Sequence, residues 1–225
     1  SRFDAVEVPA NTAHILRATR LWDDDPVAAS RRARYVAGQL DDRQIPNYTD
    51  EPGVDAARGT ETLAEVTVEI RNARWSGVPF RLRSGKALGD GFRGIVVQFR
   101  PVAHQPEGFH NAAAPNVMVI GFTPETLALR VTTNAEGNRW DLETTTLSAE
   151  LGESPVRPYG EILAHIMDGN AMLSVRGDMA EECWRIVEPV VQAWRDGDVP
   201  LESYAAGTQG PKRWESSTTH PEAGR

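Results

Sequence analysis

Hydrophobic and polar residues alternate with a period of two through the middle of the chain. In the stretch 62–70 the apolar residues Ala64, Val66, Val68 and Ile70 occupy every second position, and most positions between them are polar. This period predicts a strand of an antiparallel sheet that is covered on one face. Shorter runs of the same kind predict further strands, at residues 32–39, 78–84, 94–100, 116–122, 126–132 and 140–146.

Helical spacing is found mainly after these strands. In the stretch 159–168, Ile162 and Ile166 lie four residues apart on one predicted helical face. A second helix is expected to open near Asp178, in an arrangement that resembles a helix cap, and Pro189 should bend or interrupt this helix. Strands that come first and helices that follow predict an α+β fold with a mostly antiparallel sheet, and not alternating βαβ units.

The two ends of the chain carry weaker patterns. Residues 1–28 mix short apolar runs with Pro and Asp, which predicts an extended lead-in with one helical turn. From Ala205 onward, Gly, Ser, Thr and Pro predict a tail that lies on the surface or is partly disordered. We therefore expect one domain over residues 1–211 and a tail over residues 212–225.

Composition narrows the classes of partner. The formal charge of −8 argues against a nucleic-acid partner and against an anionic membrane surface. The chain contains no run of about 18 apolar residues, so we expect no transmembrane span. Its first residues lack the basic and then apolar pattern of a secretory signal, so none is expected. Cys183 is the only cysteine, which excludes an intrachain disulfide and a thiolate metal cluster, so a cytoplasmic location is expected.

Two short motifs raise the question of a binding role. The stretch 89–94 matches G-x-G-x-x-G, but the residues after it are β-branched, so we expect a link between two strands and not a dinucleotide site. Arg81 and Arg83 share one face of a predicted strand, and Lys86 follows at its end. These three cations could hold a phosphate, or they could belong to a solvated strand face with ordinary ion pairs.

The histidines indicate no catalytic or metal site. None of the five stands four residues from another or in a recognisable metal-ligand pattern. His165 lies beside the apolar stripe of its predicted helix, where we expect it to pack. We therefore assign no catalytic residue and no metal ligand from the sequence.

A longer ordered string runs through residues 59–86 and contains GTETL, then NARWSGVPF, then LRSGK. It resembles the signature of the glucose-6-phosphate dehydrogenase family. Later segments resemble further motifs of that family, at residues 159–163, 181–189 and 204–211. The resemblance thus covers nearly the whole chain, from about residue 13 to residue 211.

The resemblance implies the C-terminal domain of that family. Its fold is a large, mostly antiparallel sheet that is covered on one face by helices and that forms a homodimer. It also implies a pocket for glucose 6-phosphate, in which Lys86 would contact the phosphate and Arg83 would be a second substrate-binding residue. In the complete enzyme, NADP would serve as oxidant in the pentose phosphate pathway.

Departures from the family pattern limit this expectation. The N-terminal coenzyme domain and the catalytic histidine would precede residue 1, so the chain alone is expected to be inactive and to bind no cofactor. Gly91 stands where a second cation often follows the motif lysine, and Arg81 stands where an aromatic or aliphatic residue is usual. Gly121 occupies one position of the animal enzymes' structural NADP site, which we do not assign here. The alternative is a non-catalytic relative that binds sugar phosphate or forms an oligomer scaffold with a full-length subunit.

Overall fold

The computed structural model describes residues 4, 6–89, 91–111, 113–152 and 158–217. The α-helices of this part of the chain are α1 (Glu7–Ala18), α2 (Pro158–Met167) and α3 (Gly177–Asp196). The strands are β1 (Thr19–Leu21), β2 (Ser30–Val36), β3 (Gly38–Leu40), β4 (Arg43–Ile45), β5 (Leu63–Ile70), β6 (Phe80–Gly85), β7 (Gly94–Gln98), β8 (Val117–Phe122), β9 (Glu125–Asn134), β10 (Leu142–Glu150) and β11 (Leu201–Ala205). Among these described helices, none is both long and apolar enough to cross a lipid bilayer.

The α+β class and the mostly antiparallel pairing predicted from the sequence are confirmed. Each predicted strand run coincides with an observed strand, with ends that differ by a few residues. The strands form sheets of five, four and two members. Among the described strand pairs, β2 with β11 is the one that runs parallel.

The chain divides into two compact units. The first contains Ser1–Asp90 and Val156–Ser216, and it holds the helices and the five-stranded sheet. The second contains Gly91–Pro155 and Ser217–Arg225, and its described part holds the four-stranded sheet.

Strand β5 is the centre of the five-stranded sheet, because it pairs antiparallel with β1, β2 and β6. Helices α1 and α3 pack together over one face, where Val68, Val190 and Trp194 belong to one buried apolar cluster. The indole N–H of Trp194 donates to Ser30 Oγ at 2.9 Å. The bond gives a partner to the indole N–H, which is the one polar group of this large and otherwise apolar side chain.

The opposite face of this sheet is covered as well. Leu63 is fully buried there, in a second apolar cluster with Tyr35, Tyr204 and Trp214. The expectation that β5 is covered on one face only is therefore wrong, because the C-terminal segment lies over the other. Trp214 lies in a 3-10 helix and is 1% exposed, so the prediction of a surface tail is also wrong up to this residue. The domain boundaries at 211 and 212 stay a prediction.

Two predictions about helices, and one alternative of a third, are wrong for local physical reasons. Helix α1 has 12 residues, whereas the sequence predicts one turn. Pro9 does not interrupt the helix because it lies in the first turn, where a backbone N–H has no partner within the helix. Asp178 does not cap α3; it lies inside the first turn and pairs with Arg176. Pro189 does not interrupt α3, because buried residues on both sides of it hold the helix against the sheet, while the alternative of a bend stays a prediction.

The four-stranded sheet is antiparallel, in the order β10-β9-β8-β7. Its register places apolar side chains together on one face, which we call the apolar sheet face: Ile95, Val97, Met118, Ile120, Phe122, Leu127, Leu129, Val131, Leu147 and Ala149. No described residue of this unit is buried, and Leu147 is 58% exposed. A contiguous apolar surface of this kind marks an interaction site in a folded protein.

Candidate functional site

Lys86 lies directly after β6, whose last residue, Gly85, stands opposite Leu63 of β5. The backbone N–H of Lys86 donates to the carbonyl of Thr62 at 2.8 Å. Its own carbonyl accepts a hydrogen bond from the hydroxyl of Tyr204 at 2.7 Å. The side chain is exposed, and within the described part of the chain no ion pair engages its ammonium. A backbone that is fixed at both polar groups therefore presents a cation to solvent.

Residues 204–210, which we call the C-terminal strap, lie against the turn that follows Lys86. The N–H of Gly207 donates to the carbonyl of Ala87 at 2.9 Å, and the N–H of Gly89 donates to the carbonyl of Thr208 at 3.1 Å. These bonds join two segments that are far apart in the sequence. The strap therefore fixes the course of the chain on the C-terminal side of Lys86.

The turn needs this support because its backbone is unusual. Ala87 has a φ of 50°, in the left-handed region that residues other than glycine rarely adopt. Gly207, on the strap, has a φ of 85°, and a Cβ at this position would collide with the carbonyl of Gln39. The close packing of the strap against β3 thus requires glycine at position 207.

Arg81 and Arg83 share the face that the sequence predicted, and this face contains a buried carboxylate. Glu65 is 2% exposed and stands opposite Arg83 in the register of β5 and β6. Its Oε1 lies 3.6 Å from Arg81 Nε, and its Oε2 lies 4.0 Å from Arg83 Nε. From β2, Arg31 donates to Oε1 through Nε at 3.1 Å. We call these four residues the glutamate–arginine cluster.

Trp214 covers the glutamate–arginine cluster. The guanidinium carbons of Arg31 and Arg83 lie 4.8 Å and 5.6 Å from its ring centroid. Arg83 also donates to the carbonyl of Gln209 on the strap. Burial lowers the pKa of the Arg83 guanidinium, and the charge of Glu65 opposes that shift. Arg83 is therefore held by protein groups, and its role as a substrate-binding residue stays a prediction.

The glycine string at 89–94 is followed by β7, and not by a helix. Asp90, within the string, lies outside the described residues. The predicted link between two strands, β6 and β7, is therefore confirmed. A dinucleotide fingerprint needs a helix N-terminus at this point to meet the pyrophosphate.

The histidines are spread over the chain. His110 Nδ1 lies 2.7 Å from Asp141 Oδ1 in the second unit, and its side chain is 65% exposed. His165 is partly buried on α2, and His220 lies outside the described residues. The described residues contain no group of three or more His, Cys, Asp and Glu that could hold a metal ion. We assign none of the histidines a catalytic role.

The family model described as "Glucose-6-phosphate dehydrogenase, C-terminal domain" matches residues 1–223, which is almost the whole chain. The chain belongs to the glucose-6-phosphate dehydrogenase family. The resemblance found in the sequence motif is thereby confirmed, as is its restriction to the C-terminal domain.

Curated members of the glucose-6-phosphate dehydrogenase family are longer than this chain. The chain is 34% identical over 199 residues to glucose-6-phosphate 1-dehydrogenase of Mycolicibacterium smegmatis, a match that covers 83% of the chain and 40% of that protein. It is 34% identical over 236 residues to the Treponema pallidum protein of the same name, with coverage of 92% and 44%. The chain therefore spans about two fifths of the length of these relatives.

Solved structures of the family share the fold. A glucose-6-phosphate dehydrogenase in complex with its substrate glucose-6-phosphate superposes with a TM-score of 0.80 at 26% identity, over 96% of this chain and 44% of that one. Glucose-6-phosphate 1-dehydrogenase of Mycobacterium avium gives a TM-score of 0.74 at 27% identity, over 95% and 43%.

The sequence predicts a role for Lys86 but gives no sign of the groups that hold its backbone. The alternation predicts that Glu65 lies on the polar side of its strand. A polar position in the sequence does not show that its side chain is buried. Tyr204 begins a family-like motif just before the predicted surface tail, and nothing in the sequence shows that its side chain is buried. A buried carboxylate opposite several arginines could have been suspected from the pairing of 62–70 with 78–84, but its cover by Trp214 could not.

Replacing the buried carboxylate should weaken the fold measurably. Glu65→Gln leaves Arg31, Arg81 and Arg83 facing each other without an anion, and removing one partner of a buried ion pair typically costs about 3–5 kcal/mol. We expect about 2–3 kcal/mol, because Arg31 and Arg81 keep 30% and 39% of their side chains exposed. Urea unfolding followed by circular dichroism measures this loss.

Glu69→Gln is the matched control, on the same strand. Glu69 pairs with Arg71 at the surface, and such pairs are worth about 0–1 kcal/mol. Equal unfolding midpoints for Glu65→Gln and Glu69→Gln would show that the glutamate–arginine cluster does not stabilise the sheet.

Proposed function

We propose that this chain is the C-terminal part of a cytoplasmic glucose-6-phosphate dehydrogenase and forms one side of its sugar-phosphate site. The reaction proposed for the whole enzyme is the oxidation of glucose 6-phosphate to 6-phosphogluconolactone, with NADP as oxidant, in the pentose phosphate pathway. Membership of the family supports this proposal. The solved relative named as a complex with its substrate glucose-6-phosphate, which superposes over 96% of this chain, supports it further.

The position of Lys86 is the observation on which the proposal rests. The chain contains two lysines, Lys86 and Lys212, among 24 basic residues. Among the described residues no carboxylate neutralises the Lys86 ammonium, whereas Arg31, Arg81 and Arg83 are drawn to Glu65. An exposed ammonium on a fixed backbone is a point charge suited to a phosphate.

Lys86 would act by position and not by chemistry at the reacting carbon. A cation that holds the phosphate of a sugar fixes the other end of the molecule, so that its reacting carbon lies in one place. Lysine donates up to three charge-assisted hydrogen bonds to phosphate oxygens. We therefore assign to Lys86 binding and orientation of the substrate.

The described residues do not fit a dinucleotide site. The glycine string is followed by β7, and the described strands contain no pair of parallel neighbours joined by a single crossover helix. We derive no step through NADP from the residues of this chain. The oxidant and the base of the reaction are proposed to be held by another part of the enzyme.

A sugar-phosphate binder without catalysis is the second candidate. Arg83 is occupied by Glu65 and by the carbonyl of Gln209, and Gly91 stands where a further cation is usual in the family. A site in which Arg83 is occupied and position 91 carries no cation favours weak binding over a full catalytic pocket. Binding without dehydrogenase activity in any longer protein that contains this chain would favour this candidate.

Removal of the Lys86 ammonium should weaken phosphate binding. We expect Lys86→Ala to raise the dissociation constant for glucose 6-phosphate by about ten- to a hundredfold, as for the loss of a hydrogen bond to a charged group. Isothermal titration calorimetry on the 225-residue chain, with glucose as the unphosphorylated comparison, measures this. Lys212→Ala is the matched control, and equal affinities for the two variants would contradict the proposal.

The chain by itself should not oxidise the sugar phosphate. We expect no NADPH above the blank when the purified 225-residue chain is mixed with glucose 6-phosphate and NADP, since its described residues lack a dinucleotide site. Absorbance or fluorescence of NADPH measures the product, and the Mycolicibacterium smegmatis relative provides the positive control. NADPH formation by this chain would overturn the assignment.

We further propose that two copies of the chain associate through the apolar sheet face. An isologous interface places the same patch on both subunits, so a flat apolar face can bury itself against its copy. Ile95 and Leu147 are 49% and 58% exposed on this face, which is a large apolar surface to leave in water. Burial against a second copy would remove it from solvent.

A charge on the apolar sheet face should break this association. We expect Leu147→Asp to raise the dimer dissociation constant at least about tenfold, because a buried unpaired charge is strongly unfavourable. Light scattering coupled to size-exclusion chromatography over a dilution series measures it. Thr146→Asp, on the other face of the same strand, is the control and should leave the mass unchanged. A monomeric wild type would contradict this proposal.

A further inference from the structure

Tyr204 joins the C-terminal strap to the backbone of Lys86. Its side chain is buried, with 3% of the residue exposed, and its hydroxyl lies 2.7 Å from the carbonyl oxygen of Lys86. The same hydroxyl lies 3.0 Å from Thr62 Oγ1 and 3.3 Å from the carbonyl of Thr62. Burial raises the pKa of this phenol, so its proton stays in place over the ordinary pH range.

The protons in this group can be assigned. The backbone N–H of Tyr35 donates to Thr62 Oγ1 at 2.9 Å, which leaves the hydroxyl proton of Thr62 free to be donated to Tyr204. The single proton of Tyr204 then goes to the nearer carbonyl, that of Lys86, because the carbonyl of Thr62 already accepts from the N–H of Lys86. Each donor in the chain has one acceptor, and such aligned chains strengthen their members.

These hydrogen bonds fix the orientation of the Lys86 backbone. Both of its backbone polar groups are held, the N–H by Thr62 and the carbonyl by Tyr204. The next residue, Ala87, has the left-handed φ of 50°, a conformation that persists only when its surroundings determine it. Loss of the Tyr204 hydroxyl would leave the partly buried carbonyl of Lys86 without its donor and would release this turn toward ordinary backbone angles.

We propose that Tyr204 is a positioning residue for phosphate binding, which acts through the backbone of Lys86 and does not touch the ligand. This inference rests on the proposed function, because it gives Lys86 the role of phosphate contact. It assigns a binding role to a residue of the C-terminal strap that is 118 positions away from Lys86 in the sequence.

The test compares hydroxyl deletions in the same apolar cluster. Tyr204→Phe removes only the oxygen that reaches Lys86. Tyr35→Phe is the matched control, because Tyr35 is also buried in this cluster and its hydroxyl bonds to Glu51 at 3.4 Å instead. Thr62→Val removes the preceding donor of the chain and provides a second, independent variant. The dissociation constant for glucose 6-phosphate is measured by calorimetry on each variant of the full 225-residue chain.

We expect Tyr204→Phe to weaken binding of glucose 6-phosphate by about three- to tenfold, as for the loss of one neutral hydrogen bond, and Tyr35→Phe to leave it unchanged. Thr62→Val should change it in the same direction as Tyr204→Phe. In a Lys86→Ala background, Tyr204→Phe should have no further effect, because its action passes through Lys86. Amide hydrogen exchange should also become faster at Lys86, Gly89 and Gly207 in Tyr204→Phe and not in Tyr35→Phe.

The outcomes separate this inference from the function on which it rests. If wild type and Lys86→Ala bind glucose 6-phosphate equally or not at all, the proposed function fails and the role of Tyr204 fails with it. If binding depends on Lys86 but Tyr204→Phe binds as the wild type does, the inference about Tyr204 alone is overturned. A loss of affinity in Tyr204→Phe that persists unchanged in the Lys86→Ala background would also overturn it, since Tyr204 would then act elsewhere.

Discussion

The buried carboxylate of Glu65 is the constraint on which the first unit depends. It lies at the centre of the five-stranded sheet and draws Arg31 from β2 and both Arg81 and Arg83 from β6 toward one point. A charge with 2% exposure is costly unless it is well paired, so the positions of three neighbouring side chains follow from it. The pairing crosses both edges of β5 and therefore ties the strands together by side chains as well as by backbone.

The guanidinium groups in turn determine how the C-terminal end of the unit is placed. Trp214 covers two of them, and Arg83 donates to the carbonyl of Gln209 on the C-terminal strap. A strap held at this end can bring Tyr204 and Gly207 against the turn that follows β6. The cluster thus pairs the three arginines with Glu65, and the strap that contacts Arg83 also holds the backbone of the exposed Lys86.

The two units differ in how much of their apolar surface is buried. The first has two apolar clusters, one on each face of its sheet. In the second no described residue is buried, although one face of its sheet carries apolar side chains along every strand. The chain spans about two fifths of the length of its curated relatives. The apolar sheet face, which is exposed in a single copy of the chain, would be buried in the proposed dimer.

The sequence by itself determined where most of the strands lie along the chain, the class of the fold and the family, and it predicted a role for Lys86. These features are local: period-two alternation and the string from residue 59 to residue 86 can be read without knowing what lies beside them. Only the tertiary structure decided that the polar side of β5 is a buried ionic cluster, and that Tyr204 and Trp214 belong to the core. Alternation shows which residues share a face of the sheet but not what covers that face. The contacts of Lys86 with Tyr204 and of Arg83 with Gln209 join residues 118 and 126 positions apart. Such contacts depend on how the whole chain folds back on its sheet, which no short stretch of sequence records.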